Sequence, residues 1–349
     1  MAFQVTVQPS GRTFMVERDE PILSAAIRQG IGLPYGCKDG ACGSCKSRLV
    51  EGRVIHGAHQ SKALSAEEEA AGWTLTCQAT PQTDVVIEAR TVPGAGENPI
   101  RKMPTRVTTI ERPAPDVAVL QMQLPANDQL KYRAGQYVEF ILRDGSRRSY
   151  SMANAPHTQE AKPGIELHIR HLPGGKFTDH VFGAMKEKEI LRLEGPFGSF
   201  FLREDSTKPM ILLASGTGFA PIKAIIEELQ FKQSRSKGQP RRATLYWGCR
   251  SRADLYLHDW VLKATETLPW LQYIPVLSEP KPEDAWTGRT GLVHREVMHD
   301  HPNLTDYQVY ACGAPAMTDI AKKTFVEQKR LPDDEFYCDA FTPSVDPRK

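Results

Sequence analysis

The sequence predicts a multidomain chain in which an α+β region precedes an antiparallel β-barrel and then an α/β region with a doubly wound parallel sheet. Three observations predict this class. The 349 residues are too many for one ordinary hydrophobic core. Short apolar runs with a period of two fill residues 103–205, which is typical of antiparallel strands. Near Lys208 the pattern changes to apolar strands that alternate with helical stretches, as in a parallel sheet.

The composition is that of a globular protein. It is 40% hydrophobic and 25% charged, and the net charge of +2 argues against a nucleic-acid partner. The longest strongly apolar run, Met210–Ala214, is far shorter than the roughly 20 residues of a membrane span. The first residues alternate like a strand and lack a signal-peptide pattern. With seven cysteines, the natural setting is the reducing cytoplasm.

The first region has the pattern of a β-grasp, two hairpins packed with one helix. Pro9-Ser10-Gly11 lies between two alternating runs, and Asp19-Glu20-Pro21 is a typical helix start. Ser65 with Glu68 forms a capping-box pattern ahead of a second short helix. The predicted strands are Phe3–Val7, Arg12–Val16, Lys46–Glu51 and Val85–Ala89.

A cysteine motif lies inside this region. Cys37, Cys42 and Cys45 have C-x4-C-x2-C spacing with glycines between them, and Cys77 is a distant fourth. This is the plant-type ligand spacing of a [2Fe-2S] cluster, and the glycines let backbone amides approach the sulfides. The alternative is a structural zinc site, but zinc favours two short-spaced cysteine pairs. The spacing therefore predicts a [2Fe-2S] cluster.

The barrel region contains two short segments that carry chemistry. Arg147–Ser151 reads RRSYS, and Pro173–Thr178 reads PGGKFT. Each segment alone is typical of an ordinary turn. Together they supply an arginine for a pyrophosphate, an aromatic ring for a flat cofactor, and glycine amides with a threonine hydroxyl for phosphate oxygens.

The last region contains the strand–turn–helix arrangement that binds phosphate. The apolar strand Met210–Ala214 leads into Gly216–Pro221, GTGFAP, and a helix follows. The motif departs from the G-x-G-x-x-G dinucleotide fingerprint, so alone it is weak evidence. Arg250 and the segment Cys312–Pro315, CGAP, follow two further predicted strands, where ligands bind in such sheets.

With these motifs in this order, the whole chain resembles the ferredoxin–NADP reductase superfamily, in the group with an N-terminal [2Fe-2S] domain. That group includes reductase components of bacterial oxygenases and CDP-6-deoxy-3,4-glucoseen reductase. The resemblance implies a ferredoxin-type β-grasp domain over residues 1–92, a linker over 93–102, an FAD-binding β-barrel domain over 103–205 and an NAD(P)-binding domain over 206–349.

The resemblance also implies roles for residues beside the flavin. Arg148 would pair with the FAD pyrophosphate, Tyr150 would stack on the isoalloxazine, and Ser151 would hydrogen-bond near flavin N5. The phosphates would be cradled by Gly175, Lys176 and Thr178. Phe341 matches the terminal aromatic residue that covers the flavin face in this family. Here eight further residues, TPSVDPRK, follow it, which departs from the family pattern.

For the dinucleotide, the resemblance implies that Gly216, Thr217 and Gly218 hold it, with Arg250 on its adenosine side. Cys312 would lie by the nicotinamide C4, so Ser151 and Cys312 are the expected catalytic residues. The alternative for Cys312 is a small buried hydrophobe, which is also the expectation for Cys249 and Cys338. Arg250 and Arg252 lie where a 2′-phosphate would bind. The related oxygenase reductases mostly use NADH, so we expect NADH, with NADPH as the alternative.

The predicted function is electron transfer from NAD(P)H through FAD and the [2Fe-2S] cluster to a terminal oxygenase component, because a flavin converts a two-electron donor into single electrons. The alternative function is that of a CDP-6-deoxy-3,4-glucoseen reductase of deoxysugar synthesis, which has the same internal electron path but delivers electrons to a different enzyme. An alternative of another class is a non-enzymatic electron-transfer or redox-sensing module, against which the intact GTGFAP and CGAP motifs count. We expect a monomer whose acceptor docks around the cysteine loop.

Overall fold

A computed structural model describes residues 2–161, 163–236 and 238–342. Within these ranges the chain divides into two compact units. The first comprises residues 2–99, 198–200 and 340–342, and the second comprises Ile100–Phe197 and Phe201–Asp339. The domain boundaries expected near residues 92, 102 and 205 stay predictions, because this division joins the last two expected domains. In the described part of the chain, no helix has the length and apolar character needed to cross a bilayer.

The first unit contains a five-stranded sheet with the order β2-β1-β7-β3-β5 and a two-stranded sheet of β4 and β6. The predicted hairpin is confirmed, since β1 pairs antiparallel with β2, while β1 and β7 run parallel. The predicted capping box is also present, with Ser65 and Glu68 bonded reciprocally. The elements are β1 (Phe3–Gln8), β2 (Arg12–Val16), α1 (Ile22–Arg28), β3 (Lys46–Glu51), β4 (Val54–His56), α2 (Ala66–Ala70), β5 (Trp73–Leu75), β6 (Ala79–Pro81) and β7 (Val85–Glu88).

The second unit begins with a six-stranded sheet of order β11-β10-β13-β8-β9-β12, in which every described pairing is antiparallel. An antiparallel bridge between Met152 and Leu167 joins its two edges, which closes the sheet into the predicted barrel. Its elements are β8 (Arg101–Ala114), β9 (Val117–Gln123), β10 (Tyr137–Ile141), β11 (Arg147–Ser151), β12 (Gly164–Arg170), α3 (Lys176–Gly183) and β13 (Ile190–Phe197).

The same unit continues into a second six-stranded sheet, of order β17-β16-β15-β14-β18-β19. Strands β14 to β18 pair in parallel, as the alternating pattern predicts. The elements are β14 (Met210–Ser215), α4 (Phe219–Arg235), β15 (Ala243–Cys249), α5 (His258–Thr267), β16 (Leu271–Leu277), β17 (Arg289–Thr290), α6 (Val293–Asp300), β18 (Gln308–Gly313), α7 (Pro315–Lys329) and β19 (Phe336–Ala340).

This strand order fixes where a ligand can bind. From β14 the chain continues on one side to β15 and β16, and it later returns to β18 on the other side of β14. The order therefore reverses beside β14, and such a switch point opens a crevice at the carboxyl ends of the two strands. Ser215 ends β14 and Gly313 ends β18. The GTGFAP and CGAP motifs consequently lie together at the crevice.

Candidate functional site

The cysteine loop is a tight backbone turn in which glycine is required. Gly40 and Gly43 have φ of 77° and 78°, in the left-handed region that other residues rarely adopt. A Cβ on Gly40 would also lie 2.8 Å from the Cβ of His59 and 2.9 Å from the carbonyl oxygen of Ala58. The loop therefore depends on glycine both for its backbone conformation and for close packing against the following segment.

The four predicted ligand cysteines lie in two pairs. The amide of Cys42 donates to Cys37 Sγ at 3.3 Å, and the amide of Cys37 donates to Cys42 Sγ at 3.4 Å. The thiols of Cys45 and Cys77 are 3.3 Å apart and almost fully buried. For comparison, two thiolates on one tetrahedral metal stand about 3.8 Å apart with bonds of about 2.3 Å.

Two pairs suit a binuclear cluster better than a single zinc ion, because each iron of a [2Fe-2S] cluster takes two protein ligands. Across the described residues, no three His, Cys, Asp or Glu side chains gather at one point that could hold a metal ion. Hydrogen bonding with Cys37 lowers the pKa of the Cys42 thiol to about 6, and Cys77 likewise lowers the pKa of Cys45. The same contacts raise the pKa of Cys37 and of Cys77, so in each pair one thiol is the readier to become the thiolate that binds metal.

The flavin-facing residues predicted on β11 have distinct surroundings. Tyr150 packs its ring 5.2 Å from that of Phe177, and burial raises its pKa. Arg147 is ion-paired with two carboxylates, Glu139 and Glu194. Arg148, its neighbour on the opposite face of the strand, instead donates to the carbonyl oxygen of Arg147. Of the two arginines, Arg148 is the one not held by these carboxylates, as its predicted role requires.

The predicted phosphate turn leads into α3. A Cβ on Gly175 would lie 2.6 Å from Thr178 Oγ1, so the turn needs glycine there. Thr178 Oγ1 donates to the carbonyl oxygen of Leu172 at 2.8 Å, so its hydroxyl closes the turn. Lys176 is exposed and pairs with Asp144 at 2.5 Å. An anion bound at this turn would therefore compete with Asp144 for the lysine.

The dinucleotide turn and the CGAP segment are in direct contact. The amide of Ala314 donates to Ser215 Oγ at 2.8 Å. A Cβ on Gly218 would lie 2.1 Å from the carbonyl oxygen of Cys312. Cys312 is fully buried, and this burial raises the pKa of its thiol well above the ordinary value. Its side chain is therefore a neutral thiol at the crevice, and Thr217, between the two glycines of the turn, is also buried.

Two residues in contact with the predicted site, Asp339 and Arg170, are not among those to which the sequence analysis assigned a role. Ser151 Oγ lies 3.3 Å from Asp339 Oδ2, although 188 residues separate them, and both residues are buried. Arg170 places its guanidinium where a Cβ on Gly216 would be 3.0 Å away, and it also pairs with Asp254. The sequence offers one signal for each. Asp339 is an acid two residues before Phe341, and Arg170 ends the strand that precedes the glycine turn at residues 173–178.

The outer residues of the predicted site are less enclosed. Arg250 is exposed, and its backbone carbonyl accepts from the amide of Glu279 at 2.9 Å. Phe341 is 38% exposed. The tail that follows it lies, after Thr342, outside the described residues. The roles of Arg250 and Phe341 stay predictions.

Comparison with known proteins is consistent with this organisation. Residues 5–82 match the 2Fe-2S iron-sulfur cluster binding domain, residues 104–202 the oxidoreductase FAD-binding domain, and residues 212–323 the oxidoreductase NAD-binding domain. The expected cofactors and the expected fold class are thereby confirmed.

Several relatives match this chain over nearly its whole length. A CDP-6-deoxy-L-threo-D-glycero-4-hexulose-3-dehydrase reductase of Yersinia pseudotuberculosis is 37% identical over 99% of this chain and 100% of its own. Reductase component 1 of a Comamonas terephthalate 1,2-dioxygenase is 34% identical over 99% and 98% of the two chains. The crystal structure of the Amycolatopsis cytochrome P450 reductase GcoB superposes with a TM-score of 0.79 at 32% identity, covering 98% of this chain and 100% of that one.

Proposed function

The chain belongs to the ferredoxin–NADP reductase superfamily, in the group with an N-terminal [2Fe-2S] domain, and on this basis we propose that it carries electrons from NADH to a terminal oxygenase. It is an NAD(P)H-dependent iron–sulfur flavoprotein oxidoreductase. The observation that carries the proposal is that one chain holds, in order, two thiol pairs, a flavin-type barrel and a dinucleotide turn at a switch point.

When bound, the cofactors would supply the redox chemistry, which is hydride acceptance at FAD and single-electron transfer at the cluster. The protein's task is to hold each group. Cys37 and Cys42 would bind one iron, and Cys45 and Cys77 the other. Arg148 would neutralise the pyrophosphate, and the Gly175–Thr178 turn would hold the phosphates next to it.

Ser151 and Asp339 would hydrogen-bond to, and accept a proton from, the flavin nitrogen that receives the hydride. The Asp339 carboxylate accepts a hydrogen bond from the Ser151 hydroxyl, which fixes the orientation of that hydroxyl. The oxygen of a serine held in this way could accept a hydrogen bond from a protonated flavin nitrogen, and the carboxylate could take up the proton when that nitrogen loses it. The neutral thiol of Cys312 would form an apolar wall beside the nicotinamide and exclude water.

We propose NADH as the electron donor because Arg252, one of the two cations expected to bind a 2′-phosphate, is already engaged and an acidic side chain lies in the same loop. Arg252 Nη1 contacts the carbonyl oxygen of Asp284, and its amide contacts the Asp284 carboxylate. Ser251 donates to the Asp254 carboxylate at 3.0 Å from both its amide and its hydroxyl. A carboxylate at this loop repels a phosphate. NADH should therefore reduce the flavin faster than NADPH at equal concentration; the reverse preference would contradict this assignment.

The acceptor would dock on the surface around the cysteine loop, because single-electron transfer needs the cluster close to the partner's metal. We propose that the chain acts as a monomer and in the cytoplasm. All seven cysteines lie within the described residues and none forms a disulfide, which suits a reducing compartment.

A second acceptor is supported by the relatives. The reductase named for the hexulose dehydrase is 37% identical and the dioxygenase reductase 34%, both over nearly the full chain. Both classes would share the same electron path from NADH to the cluster, so these two sequence identities do not distinguish between the acceptors. Two reconstitutions would: NADH consumption coupled to product formation with the Comamonas terephthalate oxygenase component, and with the Yersinia hexulose dehydrase. Turnover with the dehydrase alone would favour the second acceptor.

Anaerobic stopped-flow tests the electron route. Wild type and Cys42→Ser are mixed with NADH, and flavin bleaching is recorded; cytochrome c then serves as a one-electron acceptor for the cluster. We expect Cys42→Ser to keep flavin reduction and to lose cytochrome c reduction. Cys249→Ser, which alters a buried cysteine outside the loop, is the matched control and should keep both. Loss of flavin bleaching in FAD-bound Cys42→Ser would refute the serial order.

A further inference from the structure

A buried network of charged and polar side chains lies in the second unit, and the roles described above do not use it. Lys223, on α4, is 5% exposed and His168, on β12, is 4% exposed. Lys223 Nζ lies 3.1 Å from Glu166 and 2.5 Å from Glu227. His168 Nε2 lies 2.8 Å from Glu166. The network therefore joins the barrel strand β12 to the helix α4 of the parallel-sheet region.

One part of the network hydrogen-bonds to the backbone of the segment that follows β11, the predicted flavin-facing strand. Lys223 Nζ donates to the carbonyl oxygen of Ala153 at 3.2 Å, and Glu227 accepts from the amide of Ala155 at 2.9 Å. Ala153 comes two residues after Ser151, the expected hydride-side residue of β11. The helix that bears the lysine and the glutamate begins directly after Gly218. A single rigid helix thus links both predicted cofactor-contacting segments.

The other arm reaches the dinucleotide turn itself. The Glu166 carboxylate can only accept, so His168 carries its proton on Nε2 and accepts from the Tyr256 hydroxyl at Nδ1, 2.8 Å away. The Tyr256 ring packs edge-on against Trp247 at 5.3 Å. The indole of Trp247 donates to the carbonyl oxygen of Gly216 at 3.0 Å. These contacts run without a break from strand β12 of the barrel through Tyr256 and Trp247 to the dinucleotide turn.

Stability alone is a poor reason for this arrangement. A buried ion pair rarely stabilises a protein more than well-packed apolar side chains of similar volume do. Hydrogen bonds between charged groups differ from apolar contacts in that they fix direction and register. At this position, register means the placement of the dinucleotide turn relative to the flavin-facing strand.

We propose that Lys223 and Tyr256, acting through Glu227 and His168, are positioning residues that hold the dinucleotide turn against the flavin-facing strand and so set the distance over which hydride moves. The proposal rests on the proposed function, since it concerns the same hydride step. The proposal adds residues that would touch neither the flavin nor the nicotinamide but would control how well these two groups are aligned.

The test compares each network variant with a matched control in the same region of the protein. Tyr256→Phe removes only the hydroxyl that bonds His168; Tyr273→Phe removes a hydroxyl that bonds His258 at 3.0 Å, wholly outside the barrel. Lys223→Met removes the buried ammonium. Lys322→Met instead breaks an exposed ion pair between Lys322, on α7, and Asp333.

The FAD-loaded proteins are mixed anaerobically with NADH over a concentration series, which separates the limiting rate of flavin reduction from the dissociation constant of NADH. The same series with NADH deuterated at the transferred position reports whether hydride transfer itself is slow. Thermal melting and FAD content report structural integrity. A misplacement near 1 Å can cost about a hundredfold in rate.

We expect Tyr256→Phe to lower the limiting rate about tenfold, and Lys223→Met more, with the NADH dissociation constant within about twofold of wild type. The isotope effect should be at least as large as in wild type, and both controls should keep the wild-type rate. Equal limiting rates in Tyr256→Phe and Tyr273→Phe would overturn the proposal, as would Lys223→Met variants that melt earlier yet reduce bound FAD normally. If Lys223→Met fails to retain FAD, the comparison of Tyr256→Phe with Tyr273→Phe decides whether the proposal stands. A wild type that NADH does not reduce would instead refute the proposed function.

Discussion

Substitution of Gly218 by alanine tests the contact between the dinucleotide turn and the CGAP segment. A Cβ at Gly218 would lie 2.1 Å from the carbonyl oxygen of Cys312, 2.5 Å from its carbonyl carbon and 2.7 Å from the Cα of Gly313. All three are backbone atoms, so no side-chain rotation can relieve the clash. Real Cβ atoms essentially never approach closer than 3.0 Å.

The size of the effect follows from these distances. To restore 3.0 Å from 2.1 Å, the two segments must separate by about 0.9 Å. Because both segments line the predicted nicotinamide site, the cofactors are misplaced by about that amount. A misplacement near 1 Å costs about a hundredfold, which is about 2.7 kcal/mol of activation free energy.

The assay is the rate constant for flavin reduction divided by the dissociation constant of NADH, from anaerobic stopped-flow. Gly218→Ala should lose about a hundredfold in this ratio and should also melt at a lower temperature. The control is Gly183→Ala at the end of α3, where a Cβ would meet nothing within 4 Å. We expect the control to keep its activity and to be slightly stabilised. A Gly218→Ala protein with the wild-type ratio would refute the described contact.

Three further predictions concern the buried polar residues. Ser151→Ala should retain FAD but lower the limiting rate of flavin reduction about tenfold, because a hydrogen bond to a charged group is lost; an unchanged rate would remove the serine from the hydride step. Asp339→Asn, which keeps an acceptor for that hydroxyl, should lose less than Ser151→Ala; a larger loss would mean that the carboxylate acts independently. Burial acts to raise the pKa of Glu166, but His168 and Lys223 outweigh it and hold the pKa at about 2, below the ordinary 4.5. A lowered carboxyl pKa stabilises the fold above pH 4.5, and that stabilisation is lost as the pH falls toward 2. The melting temperature of wild type should therefore fall more steeply over that range than that of Glu166→Gln, and parallel curves would contradict the assignment.

The polar groups of the second unit differ in what they can do for function. The pair of Lys322 with Asp333 is exposed on both sides, so solvent screening leaves it little energy. Lys223 is buried, and its ammonium donates both to the carbonyl oxygen of Ala153 and to the Glu227 carboxylate. Of these two charged sets, the one around Lys223 is therefore the one that connects the barrel to helix α4, which follows the dinucleotide turn.

The sequence determined those features that neighbouring residues decide. The spacing of Cys37, Cys42 and Cys45, with glycines between them, specifies a ligand loop because three of the four expected ligands lie within one short segment. The capping box at Ser65 and the switch from period two to strand–helix alternation near Lys208 are likewise local. These patterns were enough to predict the cluster, the barrel and the parallel sheet.

The short strands β4, β5 and β6 were not predicted, because runs of three residues carry too little periodicity to be recognised. They are strands because neighbouring chain segments supply their hydrogen-bond partners. The isolated bridge between Met152 and Leu167, which closes the barrel, likewise forms because packing brings a hydrogen-bond partner alongside.

The tertiary structure alone decided which distant residues meet. It divided the four cysteines into two pairs, placed Asp339 on Ser151, pressed Gly218 against Cys312 and buried Lys223 beside Ala153. Such partners depend on how sheets and helices pack, and no local pattern encodes that packing. The sequence therefore predicted the segments proposed to bind each cofactor, whereas packing of the second unit determined the contacts that connect strand β11 and the dinucleotide turn to the rest of that unit.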